Sequence, residues 1–128
     1  MSKSGTIIIV DDNKGVLTAL QILLKNYFSK VVTLSSPVTL SSVIREEAPE
    51  VILLDEPTSF FDERTEKAFV EQLARWAGER TLIIATHKAA VLNIVDRILV
   101  IQDGQLALDK PKATVFEQEK ARAQVVNI

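Results

Sequence analysis

The sequence of 128 residues contains no cysteine, one histidine and four glycines, and only 5% of its residues are aromatic. The absence of cysteine excludes disulfide bonds, thiol catalysis and zinc–thiolate sites, and it fits a reducing, cytoplasmic location. No apolar run approaches the roughly 20 residues that cross a bilayer. The opening residues MSKSG are too short and polar for a signal peptide. We therefore expect no membrane segment.

The charge balance argues against two classes of partner. Fifteen Lys and Arg residues stand against seventeen Asp and Glu residues, for a net charge of -2. No basic stripe interleaved with aromatic residues offers an electrostatic footprint to nucleic acid or to an anionic membrane. With 47% hydrophobic and 25% charged residues, the composition is that of an ordinary globular protein. We expect one domain over residues 1–128, no obligatory partner, and a monomer.

Short β-branched runs alternate with amphipathic segments along the chain, which predicts an α/β protein with a mostly parallel sheet. The predicted parallel strands are residues 6–10, 31–34, 51–54, 81–85 and 98–101. Asp103-Gly104 then signals a tight hairpin into an antiparallel edge strand at 105–109. Right-handed crossovers would place helices on both faces, so the expected fold is a three-layer α/β/α sandwich.

The intervening segments carry helix start and stop signals. Ser36 precedes a proline, Asp62 precedes an amphipathic stretch, and Ala48-Pro49 and Gly78 end two of the predicted helices. A final helix is predicted to open at Pro111.

Ligands of parallel α/β sheets bind beyond the carboxyl ends of the strands. The polar residues that the sequence places at this edge are Asp11, Asp12, Asp55, Glu56, Thr86 and His87. Three clustered carboxylates at 11, 12 and 55 suit a hard divalent cation such as Mg²⁺, although no cofactor is required for folding. A helix N-cap is the alternative role for residues 11–13, and solvated carboxylates near a helix start are the alternative for Glu56 and Asp62.

The first half, from IIIVDDNKGVLTALQILLKNYF to PEVILLD, resembles the receiver domain of bacterial response regulators, with its CheY-like, flavodoxin-like fold. The resemblance implies the strand order 2-1-3-4-5. It also implies a magnesium site at Asp11, Asp12 and Asp55, with Asp55 as the phosphoacceptor. Thr86 occupies the place of the receiver hydroxyl residue. The receiver lysine is missing, because the corresponding region is ILVIQDG.

The second half resembles the Walker B to H-loop part of an ABC-transporter ATPase, which has a P-loop NTPase fold. ILLDEPTS resembles the Walker B segment, which implies a magnesium role for Asp55 and a water-activating role for Glu56. Asp62 matches the D-loop aspartate, and His87 matches the histidine that contacts the terminal phosphate. The GxxxxGK[ST] phosphate loop and the LSGGQ-type signature do not occur in the sequence, so we expect no enzyme activity and only vestigial roles for Glu56 and His87.

The two resemblances meet inside ILLD and cover nearly the whole chain. The sequence is therefore interpreted as an engineered chimera that joins a receiver-like fragment, 1–54, to an ABC-ATPase-like fragment, 55–128, with no selected biological activity. A receiver-like phosphoacceptor domain is the alternative, and an ATP-binding fragment comes third. The central phosphate-loop strand of the ABC-like parent is missing, so strand 5 either closes onto strand 4 or leaves a slot. Closure in a monomer is expected, with a domain-swapped homodimer as the alternative.

Overall fold

A computed structural model describes residues 3–78 and 80–115 of the chain. The strands are β1 (Thr6–Val10), β2 (Lys30–Leu34), β3 (Val51–Asp55), β4 (Thr81–Ala85), β5 (Arg97–Gln102) and β6 (Gln105–Pro111). The helices are α1 (Lys14–Leu24), α2 (Leu40–Glu47), α3 (Glu63–Ala77) and α4 (Ala89–Leu92), with a 3₁₀ turn at Pro37–Thr39 before α2. Pro111 ends β6, and residues 112–115 directly after it are helical, where the sequence predicts the start of a final helix; the rest of that predicted helix lies outside the described residues.

The chain divides into two compact units, with the boundary between Lys88 and Ala89. The sequence led us to expect one domain with a change of parentage at residue 54. The first unit extends through β4 to Lys88, so it contains both the receiver-like segment and residues 55–88 of the ABC-like segment. One domain over residues 1–128 stays a prediction.

The first unit is built on a four-stranded parallel sheet in the order β2-β1-β3-β4. Ile8 of β1 is aligned with Val32 of β2 and with Ile52 of β3. Ile52 is aligned in turn with Leu82 of β4. This order matches the first four strands that the receiver resemblance implies, and the β3–β4 pairing joins the receiver-like and ABC-like segments through backbone hydrogen bonds.

Residues on both faces of the central strands are buried, as expected when helices cover a parallel sheet on two sides. Ile7 and Ile9 form one core cluster with Leu17 of α1. Successive side chains of a strand point to opposite faces, so Ile8 belongs to the other face. Ile8 is also fully buried, as are Leu40 of α2, Leu73 of α3, and Ile52 and Leu54 of β3. This arrangement agrees with the predicted α/β/α layers.

Side-chain caps start the helices where the sequence indicates. The Asn13 side chain accepts a hydrogen bond from the Val16 amide at the start of α1. The Asp62 carboxylate accepts one from the Thr65 amide at the start of α3, at 2.7 Å. Each bond satisfies an amide that has no partner within its own helix. Residues 11–13 therefore do contain an N-cap, which was the alternative role predicted for them.

Ala48 ends α2 in a left-handed conformation, with φ 44° and ψ 58°. A side chain with a Cβ atom is strained there, and glycine is not. We expect Ala48→Gly to raise the free energy of unfolding by about 1 kcal/mol. Ala74→Gly, at an exposed right-handed position inside α3, should lower it by about 1 kcal/mol. Urea unfolding of both variants checks the prediction, and a destabilised Ala48→Gly would contradict it.

The position of the fifth strand differs from the expectation. Among the described residues β5 pairs only with β6, so the parallel sheet has four strands instead of five. The hairpin supplies a physical reason, because the two-residue turn at Asp103-Gly104 makes the β5–β6 pairing a local contact with little loop entropy to overcome. Ile83, in the middle of β4, remains 49% exposed.

The second unit contains the β5–β6 hairpin, which is antiparallel as predicted. Asp103 and Gly104 both have positive φ, at 51° and 74°, which fits a two-residue type I′ turn. A side-chain contact between Arg97 and Asp109 links the two strands. In the part of the chain that the structure describes, no helix is long and apolar enough to cross a membrane.

Candidate functional site

The carboxyl ends of β1, β3 and β4 carry most of the candidate residues, and strand pairing decides which of them meet. Val10 is aligned with Leu54, so Asp11 and Asp55 follow as neighbours on adjacent strands. Asp55 is aligned with Ala85, so Glu56 lies beside the residues that follow β4. The edge therefore holds two pairs: an acidic pair, Asp11–Asp55, and a mixed pair, Glu56–His87.

Asp11 is the buried member of the acidic pair, with 5% of its surface exposed. Its amide donates to the Leu34 carbonyl oxygen at 3.1 Å, which extends the β1–β2 ladder by one residue. Its Oδ1 accepts a hydrogen bond from the Asn13 amide at 2.8 Å. Asp11 is thus held in place by the strand and by the turn into α1, whereas Asp12 is exposed.

The pKa of Asp55 is raised above its ordinary value. Partial loss of hydration contributes most, followed by the negative charge of Asp11 and by a hydrogen bond between the two carboxyl groups, which requires a proton on one of them. The charges of Glu56 and Asp12 act in the same direction. The end of β3 is therefore a site of carboxylate repulsion.

This repulsion gives a prediction for Asp55→Asn. Because the pKa is raised in the folded state, the unfolded chain loses the Asp55 proton first, and stability falls as pH rises from about the unfolded pKa through the folded one. Asp55→Asn should therefore have a higher free energy of unfolding than the wild type at pH 7 and a similar one at pH 3. Urea unfolding at both pH values measures this. Asp96→Asn is the control, because it removes the same charge from an exposed position. An equal increase in the free energy of unfolding of both variants would contradict repulsion at Asp55 as the cause.

The predicted magnesium set of Asp11, Asp12 and Asp55 is only partly assembled. Asp11 and Asp55 are neighbours at the ends of the paired strands β1 and β3, and the negative charge of Asp12 contributes to the raised pKa of Asp55. No group of three acidic or imidazole side chains in residues 3–78 and 80–115 has an arrangement that could hold a metal ion. Two carboxylates without a third fall short of the six or more oxygen ligands of Ca²⁺ or the octahedral shell of Mg²⁺ unless water completes it.

The mixed pair brings together the two residues that the ABC resemblance identifies as catalytic. His87 Nε2 lies 3.5 Å from Glu56 Oε1, and the imidazole is almost fully exposed. The Glu56 amide donates to the Ala85 carbonyl oxygen at 2.8 Å, which continues the β3–β4 ladder past the end of β3. Glu56 itself has φ 43°, an uncommon conformation for a residue with a side chain. The chain thus turns sharply at this position.

A second set of polar residues, which we did not single out from the sequence, fixes the loop after β3. The Thr58 hydroxyl donates to Glu66 Oε1 at 3.2 Å, and Lys88 Nζ donates to the Thr58 carbonyl oxygen at 3.1 Å. Lys88 Nζ also lies 3.6 Å from Glu66 Oε2. We call Thr58, Glu66 and Lys88 the loop clamp. Its cation follows the predicted His87 directly, which is the one hint that the sequence offered.

The remaining candidates have local roles. The Thr86 hydroxyl accepts a hydrogen bond from the Lys88 amide at 3.0 Å, which shapes the turn after β4. Hydrogen bonds from the Thr65 amide and from the Thr65 side chain hold the pKa of Asp62 below its ordinary value. Phe61 packs edge-to-face on Phe69 at 5.4 Å, whereas Phe60 is 88% exposed. Phe61, Phe69 and Trp76 line a surface groove of about 490 Å³.

Comparison with curated proteins finds transporter ATPases. The chain is 38% identical over 88 residues to the energy-coupling factor transporter ATP-binding protein EcfA1 of Leuconostoc mesenteroides subsp. mesenteroides, a match that covers 66% of this chain and 32% of the relative. It is 43% identical over 58 residues to the ATP-binding cassette sub-family B member 6 of Mesocricetus auratus, which covers 45% of this chain and 7% of that protein. The chain thus spans a third or less of these relatives. No protein-family model matches it.

Comparison with solved structures finds receiver domains. The N-terminal receiver domain of a two-component response regulator from Bacteroides fragilis is 54% identical, with a TM-score of 0.52, and the match covers 65% of each chain. A structure of SMC ATPases is 15% identical with a TM-score of 0.50, covering 65% of this chain and 54% of that one, which is a likeness in fold alone. The N-terminal part of the chain is therefore similar to receiver domains and the C-terminal part to ABC-transporter ATPases.

Proposed function

We propose that the chain is an engineered fusion whose two parent fragments share one sheet, and that it carries no selected catalytic activity. The observation that supports this most is the composition of the first unit, which ends after Lys88 and therefore combines receiver-like β1, β2 and β3 with ABC-like β4. The receiver match and the EcfA1 match each cover about two thirds of the chain, so they overlap in its middle. β3, the strand on which the two parents agree, is where a junction disturbs the core least.

Hydrogen exchange on the full chain tests the proposal. Amides of β1, such as Ile8, and amides of β4, such as Ile83, should open with the same free energy, because strands of one cooperative sheet unfold together. Exchange should slow in parallel for both strands when a stabilising variant is used. Two separate opening transitions, one for residues 6–54 and one for 81–85, would contradict a shared sheet.

The proposal includes the inability of the chain to bind and hydrolyse ATP. The sequence has no GxxxxGK[ST] loop to hold a triphosphate. Glu56 and His87, the residues that would act on it, contact each other instead. We expect no change in the anisotropy of a fluorescent ATP analogue in the presence of 10 mM Mg²⁺, up to the highest soluble protein concentration. Saturable binding that competes with ATP would overturn this part of the proposal.

A phosphoacceptor role for Asp55 is the second candidate, because the β1–β3 pairing places Asp55 against Asp11 at an exposed strand end. In the clamp, Lys88 is turned to Thr58 and Glu66, which leaves the acidic pair without that cation. Incubation with acetyl phosphate and magnesium, followed by intact-mass measurement, separates the two candidates. A phosphoryl mass increase that disappears in Asp55→Asn supports the second candidate, and an unchanged mass supports the first.

A further inference from the structure

The distance between the two side chains of the mixed pair suits a metal ion as well as an ion pair. Zinc binds imidazole nitrogen and carboxylate oxygen at about 2.0–2.2 Å, so two such ligands at tetrahedral angles lie roughly 3.3–3.5 Å apart. His87 Nε2 and Glu56 Oε1 are 3.5 Å apart. The exposed imidazole can be approached from solvent, and water can fill the remaining coordination positions. We propose that Glu56 and His87 form a two-residue site for a borderline transition-metal cation, with zinc as its representative.

The loops that carry the two ligands are held together by hydrogen bonds that do not involve the ligand side chains. On one side, the Glu56 amide is bonded to the Ala85 carbonyl oxygen at 2.8 Å, two residues before His87. On the other, Lys88 Nζ is bonded to the Thr58 carbonyl oxygen at 3.1 Å, two residues after Glu56. The loops that carry the ligands are therefore joined on both sides of the pair. Less motion has to be frozen when a cation binds, which favours chelation over binding by histidine alone.

The turn around Glu56 adds to this restraint. The Glu56 carbonyl oxygen accepts hydrogen bonds from the Ser59 amide at 3.3 Å and from the Ser59 hydroxyl at 3.1 Å. After β4, the Thr86 hydroxyl accepts a bond from the Lys88 amide. The site differs from the predicted magnesium set in donor type, because an imidazole nitrogen favours zinc, copper or nickel over magnesium. It is also independent of the proposed function, since it needs neither phosphate nor nucleotide.

The single histidine makes the test specific, because an untagged chain has only one imidazole to report. Zinc chloride is titrated at pH 7.5 by calorimetry, with the His87 ring signals followed by NMR. We expect binding of one zinc ion and a shift of the His87 signals. Because two tethered ligands bind more tightly than one, Glu56→Gln should weaken affinity by at least about tenfold. His87→Ala should abolish the binding event.

Glu63→Gln is the matched control, since it removes an equal charge from an exposed position in the first turn of α3, and it should bind zinc like the wild type. Glu56→Gln with wild-type affinity would overturn the proposal, because the pair would then be an ion contact beside a singly ligating histidine. Zinc binding that leaves the His87 signals unmoved would overturn it too, since the ion would then sit elsewhere, for example at the acidic pair. Melting curves of every variant establish that each is folded.

Discussion

Leu73→Ala is expected to lower the free energy of unfolding by about 2–5 kcal/mol, the range for a fully buried leucine reduced to alanine. Leu73 lies in α3, in the ABC-like segment, and none of its surface is exposed. Both the lost burial of the side chain and the cavity left behind contribute to the cost. If the two segments share one core, the variant must also reduce protection from hydrogen exchange in the receiver-like strands, which are distant from Leu73 in sequence.

Two measurements check this prediction together. Urea unfolding followed by the fluorescence of Trp76, the single tryptophan, gives the loss in stability. Hydrogen exchange at Ile8 and Ile83 shows whether β1 and β4 lose protection equally. Leu23→Ala is the control, because Leu23 of α1 is largely exposed and should change stability by no more than about 0.5 kcal/mol. A change in β4 alone would contradict a core common to both segments.

The sheet was predictable from the sequence as far as β4 because its signals are local. Unbroken β-branched runs such as 6–10 mark buried parallel strands, and the crossover rule leaves few ways to order them. The caps at Asn13 and Asp62 are equally local, since each is a short side chain bonded to an amide three residues later. The sequence also predicted that Asp11 and Asp55 lie side by side, because the register of β1 and β3 alone places them next to each other.

The partner of β5 was not predictable in the same way. A strand can pair with any free edge strand that it reaches. The apolar sequence of β5 suits pairing with the antiparallel strand β6 as well as with a parallel strand. The short turn at Asp103-Gly104 makes the hairpin a local contact with little loop entropy to overcome. Pairing of β5 with β4 would have had to close the longer segment between them, residues 86–96.

The loop clamp was missed for a related reason. Thr58 is almost completely buried, yet a threonine that directly follows a Glu-Pro step carries no sequence signal of burial. Its position follows from the positive φ of Glu56 and the turn at Ser59, which are features of the folded loop. Lys88 and Glu66 are separated by 22 residues and meet only because α3 and the end of β4 flank that loop.

The clamp supplies the second prediction of large effect, for Glu66→Ala. The Glu66 side chain is 12% exposed and faces the Lys88 ammonium at 3.6 Å. It also accepts the hydrogen bond of the buried Thr58 hydroxyl. Removing the carboxylate leaves one charged and one neutral donor without that partner, which should cost about 2–3 kcal/mol of unfolding free energy. Lys88 keeps some contact with solvent, so the cost stays below that of breaking a fully buried ion pair.

Urea unfolding of Glu66→Ala beside Glu71→Ala separates the clamp from a general effect of charge, because Glu71 is exposed on the same helix and its removal should cost no more than about 0.5 kcal/mol. A double-mutant cycle with Lys88→Met then isolates the Glu66–Lys88 interaction: the double variant should lose less than the sum of the single losses, since neither partner remains uncompensated. Equal losses of unfolding free energy in Glu66→Ala and Glu71→Ala would show that the clamp does not stabilise the loop. Lys88 also joins the loops that carry Glu56 and His87. We therefore expect Glu66→Ala to broaden the NMR signals of the His87 ring. If the position of His87 does not depend on the clamp, these signals will be unchanged.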